Sequence, residues 1–219
     1  MENNAPSQDL YHDHIFASSI CRSHRPEFLE GVKSIFDKHI AEAKKEHQIY
    51  DLYPVCMSGD LSRVLPVEFV TYVAQTAWDI LNNQGFNMSV FETYVMDMWG
   101  QQHHRSSGMD QHMHINGTQI SGVYVLNASE ECKMVFHDPR PAKVYANLPE
   151  ADSSNFTLAS PQAYYSLSSG NFIFHNSSLI HSFPKNPNYE PLEFVHFNLG
   201  VRWVGNAAAD IQPEAPTII

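Results

Sequence analysis

Asp110-Gln111-His112-Met113-His114 is the stretch of this chain most able to do chemistry. Its Asp and two His stand at i, i+2 and i+4, so a β-strand through them would turn all three to one face. Imidazole is the commonest metal ligand among side chains, and two so spaced can reach one ion. A third imidazole follows at a distance. Gly170 opens a run with Phe172, Ile173 and Phe174, Asn176-Ser177-Ser178 reads as a turn, and His181 comes on the next segment. The spacing therefore predicts a metal between His112, His114 and His181, with Asp110 the carboxylate nearest the same face. Whether the third partner is His114, Asp110 or water stays open here. Three imidazoles suit zinc, copper, nickel or iron; two imidazoles and a carboxylate are the more familiar ferrous set, with positions left for oxygen and a co-substrate. The bland competitor is a set of packing histidines in a chain that has 13 of them, as many as Lys and Arg together. His103, His104, His137, His175 and His196 are weaker candidates, and His12 and His14 read as surface residues.

Something must bring these residues together, and the second half of the chain supplies it. From Val90 to Trp99 side chains alternate with strand period, and further strands are expected at Gln111–Ile115, Gln119–Leu126, Lys133–His137, Asn171–His175 and Phe194–Val204. Short strands with no helices between them indicate an antiparallel sandwich or barrel. The first half reads as helical. One helix begins near Pro26 and carries Phe28, Leu29, Val32, Ile35, Phe36 and Ile40. Another begins near Pro66, carries Phe69, Val70, Val73, Ala77, Trp78 and Leu81, and stops at Asn82-Asn83-Gln84-Gly85. Ser58-Gly59-Asp60 falls in a loop between them. The expected organisation is a helical extension over 1–85, a jelly-roll core over 86–205 and a loose tail over 206–219. Residues 139–169, rich in Pro and Ser, read as a long loop of the kind that often closes over a site.

Composition narrows the function. The formal net charge of −11 comes from 13 Lys+Arg against 24 Asp+Glu. Such a chain repels phosphate backbones, so nucleic acid is not an expected partner. No apolar run is long enough for a membrane span. The three cysteines, Cys21, Cys56 and Cys132, form no C-x-x-C pair and suggest a reducing, cytoplasmic setting. There is no Gly-x-Ser-x-Gly and no phosphate cradle. A homodimer is compatible with all of this.

Taken with their order, these motifs resemble the 2-oxoglutarate/Fe(II)-dependent oxygenase superfamily, a prolyl-hydroxylase-like group, and within it a branch common in marine phages and bacteria. The resemblance rests on Trp99, His112-Met113-His114, Ser121-Gly122-Val123-Tyr124, Phe136-His137-Asp138-Pro139-Arg140, the Gly170-to-His181 segment and Phe197-Asn198, and covers about residues 87–204. It implies a double-stranded β-helix (jelly-roll) barrel with Fe(II) as cofactor and 2-oxoglutarate as co-substrate. Molecular oxygen would be the oxidant, hydroxylating a C–H bond of a small-molecule, amino-acid or peptide substrate. It also implies an arginine for the far carboxylate of 2-oxoglutarate, because a planar fork binds a carboxylate bidentately. The matching position is Leu192. Arg140 and Arg202 are the substitutes, Tyr124 could add its hydroxyl, and Asn198 completes the candidate co-substrate set. Trp99 reads as core. The alternatives are a cupin-like metalloenzyme that does not use 2-oxoglutarate, or a catalytically silent metal-binding barrel. Cupins usually add a Glu shortly after His-x-His, and Ile115-Asn116-Gly117-Thr118 has none.

Overall fold

The computed structural model describes residues 17–47, 55–140 and 148–205. His12, His14, the tail 206–219 and part of the expected long loop (141–147) lie outside the described residues. In chain order the elements are β1 (Ile20–His24), α1 (Leu29–His47), β2 (Val55–Asp60), α2 (Val67–Asn83), β3 (Phe91–His103), β4 (Met109–His112), β5 (Thr118–Asn127), β6 (Lys133–His137), β7 (Gln162–Ser166), β8 (Asn171–Asn176), β9 (His181–Phe183) and β10 (Leu192–Trp203). The strands form two antiparallel sheets. The major one runs β1-β8-β5-β10-β3-β2 and the minor one β4-β9-β6-β7. Together they are the expected jelly roll.

Both helices pack on the outer face of the major sheet. Pro26 opens a short 3-10 turn that leads into α1, as its fixed φ favours. Val32, Phe36 and Ile40 of α1, with Phe69, Val73 and Ala77 of α2, bury against Tyr124, Phe172 and Phe197. Rings of Phe28, Phe69, Tyr124 and Phe172 meet at centroid distances from 4.3 to 6.5 Å. Each such buried ring is worth about 1.5–3 kcal/mol. The inner face of the same sheet meets the minor sheet over a second core, where Val123, Val125, Ile173, Leu192 and Phe194 face Met134, Phe136 and Phe183. Because the major sheet is covered on both sides, β5 and β10 are buried nearly throughout instead of alternating. At Gly122 the strands come so close that a Cβ would lie 2.3 Å from the Ile173 carbonyl oxygen.

Three expectations need correction. The segment before Gly85 is not helical alone: β1 pairs with β8 and β2 with β3, so it supplies both edges of the major sheet. Ser58-Gly59-Asp60 lies in β2, not in a loop. The long loop contains β7, which pairs with β6 and forms the far edge of the minor sheet. All three are edge strands, and edges show weak alternation because only one flank is paired.

Candidate metal centre

Strand pairing sets the site. β4 and β9 are antiparallel neighbours with His112 directly opposite His181. On its other side β9 pairs with β6, which puts Phe136 beside His181. The strand through Asp110 ends at His112, shorter than the sequence predicts. His114 lies beyond it, held by its backbone N–H donating to the Ser177 carbonyl at 2.9 Å. That places the Asn176-Ser177-Ser178 turn against the His-x-His segment. One nitrogen from each of His112, His114 and His181 lies within 4.8 Å of the others. Asp110 is exposed and is not in this group; the pairing of β4 with β9 shifts register between Met109 and His112, so simple alternation does not bring Asp110 to the face of His112.

The protons on these rings can be assigned. His112 Nδ1 is 2.7 Å from the Asp110 carbonyl oxygen, and His181 Nδ1 is 3.0 Å from that of Leu179. A carbonyl only accepts, so each Nδ1 carries the hydrogen and each Nε2 presents a lone pair. This is how metal-binding imidazoles are usually oriented from behind. The buried Nε2 atoms of His114 and His181 have no hydrogen-bond partner. Burial, then the neighbouring His175, pushes the His181 pKa down to about 2. Burial and His112 push His114 down to about 4. This keeps His114 and His181 in the neutral, ligating form. Buried unpaired nitrogens on converging rings are what an ion about 2.1 Å from each would satisfy, so the residues present fit a metal.

Two more imidazoles flank the three. His175 lies 4.5 Å from His181 and His196 lies 4.6 Å from His114, centroid to centroid, and both are fully buried. Burial lowers the His175 pKa to about 3 and that of His196 well below its ordinary value. His175 donates from Nδ1 to the Asn176 carbonyl, leaving Nε2 unpaired, and His196 has an unpaired Nδ1. Trp99 stacks on His196 at 4.3 Å, so it is neither purely core nor remote. The sequence ranks His175 and His196 low because each stands alone on its strand. The signal that finds them is parity, since His175 shares a face with Ile173, and His196 shares one with Phe194.

The expected co-substrate residues fall elsewhere. Tyr124 points to the helix side of the major sheet, where its hydroxyl donates to the Arg25 carbonyl at 2.8 Å. Arg140 is exposed and paired with Asp138 at 2.6 Å, the local turn contact that Asp138-Pro139-Arg140 favours. Arg202, also exposed, is paired with Glu92 at the far end of β10. Asn198 does line the interior, accepting from Ser121 and donating to Asp97, each at 2.9 Å. Leu192 is buried in the inner core.

Comparison with known proteins agrees with this picture. Residues 97–198 match the family model described as "Putative 2OG-Fe(II) oxygenase". No curated protein sequence matches the chain. Among solved structures, AviO1 from Streptomyces viridochromogenes Tue57 superposes with a TM-score of 0.58 at 13% identity, over 91% of this chain and 93% of that one. A Pseudomonas putida prolyl-4-hydroxylase gives 0.54 at 9% identity, over 84% and 92%. The carbocyclase SnoK from nogalamycin biosynthesis, described as non-heme and alpha-ketoglutarate dependent, gives 0.53 at 12% identity, over 90% and 88%. At these identities the likeness is one of fold. The stretch from Asp97 to Asn198, which holds the three converging histidines, is the part of the chain that matches the 2OG-Fe(II) oxygenase family model.

Proposed function

We propose that this protein is an iron(II)-dependent oxygenase that consumes a 2-oxo acid, 2-oxoglutarate being the one its family is named for, and hydroxylates a C–H bond of a small-molecule or amino-acid-like substrate. The observation that carries the reading is the set of three imidazole nitrogens within 4.8 Å, two of them fixed from behind by backbone carbonyls. His112, His114 and His181 would hold the ion. Bound iron supplies the oxygen activation, which no side chain can perform. The chain's own part is geometric and electrostatic. β4 and β9 hold two ligands in register, and the Ser177 carbonyl sets the third. Phe136 and Phe183 keep water from the buried side of His181. Three donors leave the remaining coordination positions for a chelating 2-oxo carboxylate and oxygen.

The opening side supports a substrate with apolar surface. Met113 and Ile115 flank His114 in sequence and are exposed, and Met96, beside Gly117 and Thr118, is exposed too. The carbocyclase name of SnoK indicates that this fold hosts other oxidative outcomes, so hydroxylation is the specific part of the proposal.

Anaerobic titration of metal-free protein with Fe(II) should end at one ion per chain, and His181→Ala should not bind it. Adding 2-oxo acid and oxygen should then release CO₂ in step with oxygen uptake. One bound ion without CO₂ release from any 2-oxo acid would overturn the oxygenase reading.

A further inference from the structure

We propose that the co-substrate site selects a 2-oxo monocarboxylic acid with an apolar tail over the dicarboxylate 2-oxoglutarate. The inference rests on the metal reading above and concerns the far end of the acid, away from the chelating carboxylate. A far carboxylate taken out of water needs a cation or several strong donors. None of the described lysines and arginines is buried. Arg140 and Arg202 are exposed and paired with Asp138 and Glu92. Lys33, half-buried, belongs to α1 on the opposite side of the major sheet and pairs with Asp37 and Glu193.

Among the described residues the side chains packed next to His181 are the wrong surroundings for a second negative charge. Phe183 lies beside His181, Phe194 stacks on Phe183, and Leu192 belongs to the same inner core. Asn198, on the same sheet, is already bonded to the Asp97 carboxylate, which would repel another. Leu192 stands beside Phe194 in the inner core, so an apolar tail finds contacts there while a carboxylate finds no partner.

The reaction balances without a distal charge. The acid R–CO–COO⁻ and O₂ give R–COO⁻ and CO₂, one oxygen atom entering the new carboxylate and the other becoming the hydroxyl on the substrate carbon. O₂ accepts four electrons, two from the acid and two from the C–H bond, whose hydrogen ends on the hydroxyl.

The test uses the full chain loaded anaerobically with Fe(II), its metal content measured first. A protein that binds no iron refutes the metal reading itself. With iron bound, 2-oxoglutarate, 2-oxoisocaproate and pyruvate are titrated while following the metal-to-ligand charge-transfer band, and aerobic CO₂ release is measured for each. The expected result is 2-oxoisocaproate binding tighter than 2-oxoglutarate by on the order of tenfold or more, the direction set by tail burial against an unpaired charge. Leu192→Arg should reverse that order, and if it does not fold, the unmodified protein's ranking still decides. Equal or tighter binding of 2-oxoglutarate overturns the proposal, as does a response to neither acid. A selective loss of 2-oxoglutarate binding in Arg140→Ala, Arg202→Ala or Lys143→Ala overturns it too.

Discussion

Lowering the pH of the metal-free protein should unfold it far sooner than carboxylate titration alone would, because its imidazoles are buried uncharged. His103, His175, His181 and His196 are each 1% exposed or less. Burial holds their pKa values near 4, 3 and 2 for the first three and well below the ordinary 6.5 for the fourth. A folded-state pKa below the unfolded one means that the unfolded chain binds more protons. Stability is therefore full above pH 6.5 and drains as the pH falls from there toward those lower values. Between about pH 7 and about pH 5.5 each such histidine costs roughly 1 kcal/mol, since the unfolded imidazole goes from mostly neutral to mostly charged while the folded one stays neutral. Four of them cost on the order of 4 kcal/mol, a large part of the whole stability of many domains. Urea denaturation at the two pH values, with chelator present, reads the loss directly. His196→Phe should shrink it by about one quarter, because one proton fewer is taken up on unfolding. An unfolding free energy that changes by less than about 1 kcal/mol over this range would refute the reasoning.

Other expectations follow from single contacts. Tyr124→Phe removes a buried hydroxyl that donates to the Arg25 carbonyl, and should cost about 1 kcal/mol in chemical denaturation without changing 2-oxo acid affinity. Gly122→Ala places a methyl against the Ile173 carbonyl and must part β5 from β8, so a loss of more than about 2 kcal/mol is expected by the same assay. His112→Ala should abolish tight Ni(II) or Co(II) binding in calorimetry while the thermal transition of the metal-free protein barely moves, since His112 is half-buried at the sheet edge.

The histidines could be read from the sequence because strand period and turn residues both constrain them. Asp110 could not, since the register irregularity of β4 between Met109 and His112 is set by its pairing with β9 and leaves no local mark. Tyr124 illustrates a different limit. In a strand buried on both faces, Val123 and Tyr124 are equally apolar and no alternation says which one faces the barrel. Arg140 and Arg202 are ambiguous in the sequence because a carboxylate competes for each: Asp138 two residues away for the first, and Glu92, brought close only by strand pairing, for the second. β1 and β2 escaped notice as short edge strands set among helices, where local composition carries little sheet signal.

The position of β4 at the border of the minor sheet has a consequence of its own. Four residues with a single paired flank make a weakly anchored strand, and an unpaired border invites a foreign one. An ion bridging His112 to His181 would tie that border to β9 by coordination as well as by backbone bonds. Loss of metal would then be felt first as faster amide exchange along Met109–His112, and as a tendency of chelator-treated protein to self-associate there.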